Sequence, residues 1–122
     1  MRDKINNPVR LDLMREAIVN IEEFMQGVDS FSDFIASKIL CHAVVYNVQC
    51  IGENAYKLSK EFIAAHAEVE WNDIEGLRHV LVHDYYSVNM KIIWGIIQKD
   101  IPKLKAWLAL HAANPVFFEM QA

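Results

Sequence analysis

An arginine, a histidine and a tyrosine lie close together in the second half of the chain, as Arg78, His83 and Tyr85. Together they form the pattern R-x4-H-x-Y. A guanidinium can hold a phosphate through paired hydrogen bonds, an imidazole can transfer protons near neutral pH, and a phenol can donate, accept or be modified covalently. This combination of residue types indicates a candidate reaction centre for phosphodiester chemistry.

Each of these residues also has an ordinary structural explanation. A surface arginine is most often a solvated charge or one half of a weak ion pair. A single histidine is more often structural than catalytic, and a tyrosine beside an apolar stripe usually belongs to the core with its hydroxyl at the rim. Taken singly, the three residues do not define an active site. Their joint spacing and the flanking sequence favour one.

The motif is predicted to lie on an amphipathic helix, the third of four main helices. This helix is expected to begin near Asn72, with that residue as its N-cap and Glu75 completing a capping box. At about 100° per residue, Arg78 and Tyr85 share one face, whereas His83 lies about 140° away. Because one helix does not bring the arginine and the histidine together, the motif is expected to line a groove that a second subunit could complete.

Three further residues are candidate accessory groups. His79 directly follows the arginine, and Tyr86 offers a second hydroxyl beside Tyr85. Glu53 lies in the middle of the apolar second helix, where a carboxylate costs free energy unless it is paired or hydrated. It is expected to face either the groove or solvent.

The histidines raise the alternative of a metal site. His79 and His83 are four residues apart, a spacing that can bind zinc on one face of a helix. The glutamate of the metalloprotease arrangement is missing, and no third ligand stands out nearby. The remaining histidines are scattered along the sequence: His42, His66 and His111. We therefore expect no metal ligands and no cofactor.

Hydrophobic periodicity predicts helices throughout and no strand. The first helix follows Pro8, the second covers residues 33–58, and the fourth begins near Asn89. A kink or restart is expected at Pro102, which lacks an amide hydrogen, with Asp100 as the cap of the last segment. The predicted buried stripe of the first helix is Leu11, Met14, Ile18, Ile21 and Met25.

The composition is that of one folded domain. The chain has 122 residues, which suits a single core, and its hydrophobic content of 53% leaves apolar surface for a dimer interface. We expect residues 1–122 to form one all-α domain, an antiparallel four-helix-type bundle with short extra helices. The net charge of −4 argues against a general nucleic-acid binder, so any nucleic-acid site must be a local patch.

No secretion signal or membrane span is recognisable in the sequence. The chain starts with polar residues, and its longest apolar run, residues 92–97, is far shorter than the ~18–20 residues that span a bilayer. Cys41 and Cys50 lie about 13 Å apart along the predicted second helix, too far for a disulfide. A cytoplasmic protein is expected.

The motif and its flanks resemble the HepT-like toxins, a branch of the HEPN superfamily. The resemblance rests on R-x4-H-x-Y together with three flanking segments in the same order: Ile51-Gly52-Glu53-Asn54-Ala55-Tyr56-Lys57-Leu58-Ser59, Trp71-Asn72-Asp73-Ile74-Glu75-Gly76-Leu77-Arg78, and Ile93-Trp94 with Asp100-Ile101-Pro102-Lys103-Leu104. It covers most of the chain. It implies a helical bundle that dimerises and places two copies of the motif in one cleft.

The resemblance also implies an activity and a partner. It implies a metal-independent endoribonuclease that cleaves tRNA or mRNA as the toxin of a type II-like or type VII-like toxin–antitoxin system. Arg78 and His83 would be catalytic. The implied partner is a minimal nucleotidyltransferase antitoxin, which would neutralise the toxin by adenylylating Tyr85. The neighbouring Tyr86 is a second candidate target, although the spacing favours Tyr85.

Two other functional classes remain open from the residues alone. One is a non-catalytic helical dimer that binds a nucleotide or a protein through the same groove, which the acidic net charge mildly favours. The other is a small metal-binding bundle that uses His79 and His83. A metal-free RNA cleavage assay separates the first from a ribonuclease, and metal analysis of untagged protein tests the second.

Overall fold

The computed structural model describes residues 6–79 and 88–111, and for Val88 and Asn89 it describes the backbone alone. Within these ranges every regular element is helical, which confirms the predicted all-α class. The elements are α1 (Asn7–Phe24), α2 (Phe31–Ile35), α3 (Lys38–Tyr56), α4 (Lys60–Ala65), α5 (Trp71–Gly76), a 3-10 turn (Leu77–His79), α6 (Val88–Gly95), a π-helical segment (Ile96–Asp100) and α7 (Ile101–Leu110).

The two long helices, α1 and α3, pack along one another in opposite directions. Three polar contacts join them or their ends. They link Asn7 to Ser59, Arg10 to Asn54, and Asn20 to Asn47. Because the partner's number falls as the position along α1 rises, the helices are antiparallel, as the sequence predicts.

The predicted apolar stripe of α1 forms part of the core. Leu11, Met14, Ile18 and Ile21 are almost completely buried, and Met25 packs at the edge of the core. From the other side, α3 contributes a stripe at helical spacing that includes Val44, Val48, Ile51 and Ala55. Burial of these side chains is the main favourable term that holds the two helices together.

The predicted second helix is in fact two helices. The prediction of one helix over residues 33–58 was wrong at its start, because α2 ends at Ile35 and α3 begins at Lys38. Each helix has its own serine cap: Ser30 accepts a hydrogen bond from the amide of Asp33, and Ser37 accepts one from the amide of Leu40. Two serine caps seven residues apart favour a new helix over a continuous one.

The start and end of the third predicted helix also differ from the expectation. Asn72 is not the N-cap: it lies inside α5, and the cap position is held by Glu70 without a side-chain bond. The buried indole of Trp71 anchors this end by donating to the carbonyl of His66 at 2.9 Å. The α-helix ends at Gly76 and tightens into the 3-10 turn, so the helical-wheel geometry assumed for the motif does not hold at Arg78.

The predicted interruption near Pro102 takes the form of a π-helical segment. The amide of Ile101 donates to the carbonyl of Ile96, five residues back, which is the π-helical pattern. Pro102 cannot donate to the carbonyl four residues before it and would clash there, so a widened turn accommodates it. Asp100 keeps a helical backbone and makes no side-chain cap, which corrects the capping role expected for it.

Two expectations about the chain's chemistry can also be compared with the structure. Cys41 and Cys50 are both free thiols, as their spacing predicts. Among the helices of the described ranges, none is long and apolar enough to cross a membrane.

Candidate active site around Arg78

The structure describes the first two of the eight residues of the predicted motif. Arg78 and His79 lie in the 3-10 turn that follows α5, where Arg78 is half-buried and His79 is exposed. His83, Tyr85 and Tyr86 fall between residues 80 and 87, outside the described residues. Their predicted roles therefore stay predictions.

Two contacts with described residues hold the guanidinium of Arg78. Its Cζ lies 3.8 Å from the centroid of the Tyr56 ring, well within the ~6 Å range of a cation–π interaction. Its Nη1 donates to the carbonyl of Glu75 at 3.1 Å. The ring contact fixes the position of the guanidinium over Tyr56, and the hydrogen bond fixes the direction in which Nη1 points. The side chain is therefore oriented before any ligand binds.

The backbone of Arg78 is positioned by a glycine on α3. A Cβ built on Gly52 would lie 2.3 Å from the amide nitrogen of Arg78 and 2.8 Å from the carbonyl carbon of Leu77. Real Cβ atoms essentially never come so close to another heavy atom. The 3-10 turn can therefore lie directly on the α3 backbone only because residue 52 has no side chain.

Glu53 faces solvent on the neighbouring side of α3. Its carboxylate lies 3.4 Å from Nζ of Lys57, one turn later, and its side chain is 50% exposed. Such an exposed pair contributes little stability. The Glu53 carboxylate is therefore partly exposed, with a nearby cation that offsets its charge, and its accessory role stays a prediction.

Asn54, next to Glu53, has a structural explanation. Its Oδ1 accepts from Nη1 of the buried Arg10 at 3.0 Å, and its Nδ2 donates to the carbonyl of Cys50 at 2.9 Å. The side-chain amide thus provides a hydrogen bond to a guanidinium that has lost contact with water at the α1–α3 interface. Its burial in an apolar helix reflects helix packing.

A cavity of about 480 Å³ lies beside the 3-10 turn, between α5 and the π-helical segment with α7. Leu77 lines it, so it borders the segment that carries Arg78. Among the described residues, its charged lining consists of Glu68, Glu70, Asp73, Asp100 and Lys103, which is four carboxylates against one ammonium. This balance repels a polyanion, so RNA is not expected to enter here.

The roles of Gly52 and Tyr56 in positioning Arg78 were not predicted from the sequence. Both lie in the segment that carries the resemblance, and their i, i+4 spacing puts them on one face of α3. That spacing is the only sequence signal that could have paired them. It does not reveal that Arg78 is the residue they contact.

The chain is similar to a family of ribonucleases and to several proteins named as ribonucleases. The family described as "Ribonuclease HepT-like" matches residues 14–109, which include the complete motif. A protein of Caldanaerobacter subterraneus named "Putative RNase TTE0752" is 38% identical over 102 residues, covering 84% of this chain and 89% of the relative. A protein of Thermococcus cleftensis named "Probable ribonuclease HepT" is 34% identical over 95 residues, covering 78% and 86%. No solved structure matches the chain significantly.

Proposed function

The chain belongs to the HepT-like ribonuclease family, and from that premise we propose that it is an endoribonuclease whose reaction centre is built on Arg78 and His83. The observation that carries the proposal is the placement of Arg78. Its guanidinium is oriented by the Tyr56 ring, and its backbone rests on Gly52, within the region that the family match covers. An arginine on an ordinary solvated surface needs no such support.

The proposed reaction uses the nucleophile that RNA itself carries. The 2′-oxygen loses its proton and attacks the adjacent phosphorus, and the bond from phosphorus to the 5′-oxygen breaks. The products have 2′,3′-cyclic phosphate and 5′-hydroxyl ends. His83 transfers protons, a role typically worth ~10²–10⁴-fold. Arg78 stabilises the dianionic phosphorane through charge-assisted hydrogen bonds. No step in this mechanism calls for a metal ion.

Cleavage of labelled RNA in the presence of a chelator tests this function. Wild-type protein should cut a tRNA or mRNA substrate and leave cyclic phosphate ends, and His83→Ala protein of unchanged thermal stability should not. Full cleavage by the folded His83→Ala variant would show that His83 is not the residue that transfers protons. Binding of RNA or nucleotide without cleavage would favour the non-catalytic module instead.

We also propose that the protein acts as a homodimer, with two motifs in one cleft. Exposed large apolar side chains on α3 and on α6 support a contact with another protein chain. Ile39 is 84% exposed, Tyr46 65% and Ile92 54%. Light scattering coupled to size-exclusion chromatography measures the mass directly. A monomer at micromolar concentration would contradict this part of the proposal.

The proposed biological role is that of a toxin held in check by a nucleotidyltransferase antitoxin. The Tyr85 hydroxyl would attack the α-phosphate of ATP, forming a tyrosyl–AMP bond and releasing pyrophosphate. The added anion would then block the cleft and repel RNA phosphates. Intact mass after incubation with the antitoxin, ATP and magnesium should rise by whole adenylate units in wild-type and Tyr86→Phe protein, but not in Tyr85→Phe. Equal modification of Tyr85→Phe would place the target elsewhere.

A further inference from the structure

Three metal-ligating side chains converge where the segment after α4 meets the end of α7. They are His66, Glu68 and His111, which we call the His–Glu–His cluster. Nδ1 of His66 lies 3.6 Å from Oε2 of Glu68, and Nε2 of His111 lies 4.0 Å from the same oxygen. One ligand atom from each residue lies within 4.8 Å of the others. We propose that this cluster binds a divalent transition-metal ion, with zinc as the best match.

The distances fit a cation better than direct hydrogen bonds. An imidazole N–H bonded to a carboxylate oxygen would lie at about 2.7–3.2 Å, shorter than both separations in the cluster. Zinc bonds of about 2.0–2.2 Å in a tetrahedral site place neighbouring donor atoms roughly 3.4 Å apart. A small inward movement of the two imidazoles is therefore enough to complete the coordination. Two imidazoles and one carboxylate form a ligand set that zinc commonly takes.

The ring of His111 is already oriented as a ligand. Its Nδ1 lies 3.0 Å from the carbonyl of Trp107, one turn earlier on α7. A proton on Nδ1 that donates to this carbonyl leaves the lone pair on Nε2, the nitrogen that faces Glu68. The ring also stacks on the indole of Trp107, with centroids 4.1 Å apart. Hydrogen bonding of the second ring nitrogen is the usual support for a metal-bound histidine.

The other two ligands are held by different contacts. Oε2 of Glu68 accepts a hydrogen bond from Nε1 of Trp107 at 2.8 Å, which fixes the carboxylate. The carbonyl of His66 accepts from the indole of Trp71 at 2.9 Å, and the Phe62 ring lies 4.4 Å from the His66 ring. Since all three side chains keep partial solvent exposure, an ion can reach the cluster, and water can take the fourth coordination position.

Metal binding here would join two parts of the chain that are distant in sequence. His66 and Glu68 precede α5, whereas His111 follows α7. An ion that binds all three in the folded state stabilises that state by mass action. The Tm should therefore rise on the order of 10 °C at a free zinc concentration one hundred times the Kd.

Zinc binding by untagged protein tests the proposal without reference to RNA cleavage. Isothermal titration should give one zinc ion per chain in wild-type protein. His66→Ala, Glu68→Gln and His111→Gln should each bind at least ~10-fold more weakly and lose the Tm rise. Cobalt(II) should give the visible absorption of tetrahedral coordination in wild-type protein but not in these three variants. The Tm of each variant without metal checks that it still folds.

Two histidine controls locate the binding. His42→Ala changes an exposed histidine on α3, away from the cluster, and should bind zinc like wild type. His79→Ala removes one half of the alternative i, i+4 pair and should also bind normally. Zinc affinity that falls in His79→Ala but not in His111→Gln, or that is equal in wild type and all three cluster variants, would overturn the proposal. The three residues would then have a structural role only, through their contacts with Trp107 and Trp71.

Discussion

Gly52 and Arg78 meet backbone to backbone: a Cβ on the glycine would lie 2.3 Å from the amide nitrogen of the arginine. This contact sets the position of the 3-10 turn on α3. The same face of α3 carries Tyr56, whose ring orients the guanidinium. The placement of the proposed catalytic arginine therefore depends on two residues of a different helix.

Gly52→Ala should displace Arg78 and reduce RNA cleavage. The added methyl must push the turn away from α3, which should lower the free energy of unfolding by about 1–3 kcal/mol. A displacement near 1 Å at a catalytic group can reduce the rate about 10²-fold. The measurements are the single-turnover rate and the denaturant midpoint.

Gly95→Ala is the matched control for that variant. No atom of the described residues lies within 4 Å of a Cβ at this helical glycine, so alanine should leave cleavage unchanged and stabilise by up to about 1 kcal/mol. Wild-type cleavage by Gly52→Ala would mean that Arg78 does not need this backbone contact.

Tyr56 is expected to act through its ring and not through its hydroxyl. Tyr56→Phe should retain the cation–π contact and nearly all activity. Tyr56→Leu should lose about 0.5–1 kcal/mol of this contact, a two- to fivefold loss in kcat/KM. Steady-state kinetics on one labelled RNA would separate the two. Equal losses in both variants would instead assign a role to the phenol oxygen.

The helix caps provide a test of the fold itself. Ser37→Ala removes the hydrogen bond to the amide of Leu40 and should cost about 1 kcal/mol of stability. Asn72→Ala should change the free energy of unfolding by less than about 0.5 kcal/mol, because Asn72 is exposed and does not cap α5. Urea denaturation of both variants measures the difference. A larger cost at Asn72 would restore the helix start expected from the capping-box pattern.

Asp12 should make stability depend on pH. Burial raises the pKa of this carboxyl, an effect that the nearby Arg15 partly opposes. Its Oδ1 is buried without a hydrogen-bond partner in the described part of the chain. Because the folded-state pKa is the higher one, stability decreases as pH rises from the unfolded pKa through the folded pKa. The Asp12→Asn variant has no charge to bury at this position and should have a higher Tm than wild type at pH 7.

The Tm difference between Asp12→Asn and wild type should shrink as the pH falls towards the unfolded-state pKa of an aspartate, about 3.9, because protonation removes the cost of burying the charge. Thermal melts between pH 4 and 8 measure it. Glu16→Gln, at an exposed carboxylate on the same helix, is the control and should follow wild type. A lower Tm for Asp12→Asn at pH 7 would mean that the charged carboxylate stabilises the fold.

Local pattern was enough to predict the helices that build the core. The stripe of α1, from Leu11 to Ile21, is read directly from apolar residues at helical spacing, and that face is buried. The start of α5 was mispredicted because a contact within the preceding loop, the Trp71 indole on the carbonyl of His66 five residues earlier, takes the place of the expected cap. Side-chain caps can be recognised in sequence, whereas such an anchor depends on the path that the loop takes before the helix.

The site was predictable only in part for the same reason. The residue types and spacing of the motif identify Arg78, but its contacts with Gly52 and Tyr56 arise from the packing of α5 and the 3-10 turn on α3. His66 and His111 are 45 positions apart and looked scattered. Only the return of α7 to the segment after α4 brings them to one carboxylate.

The catalytic role of Arg78 can be tested through the single-turnover rate of RNA cleavage by Arg78→Lys protein in the presence of a chelator. Lysine keeps the charge but lacks the planar fork that holds two phosphate oxygens and stacks on an aromatic ring. If Arg78 stabilises the phosphorane, the rate should fall roughly 10²–10³-fold while the Tm stays within about 2 °C of wild type. Cleavage at the wild-type rate would contradict the assignment of Arg78 as the catalytic arginine.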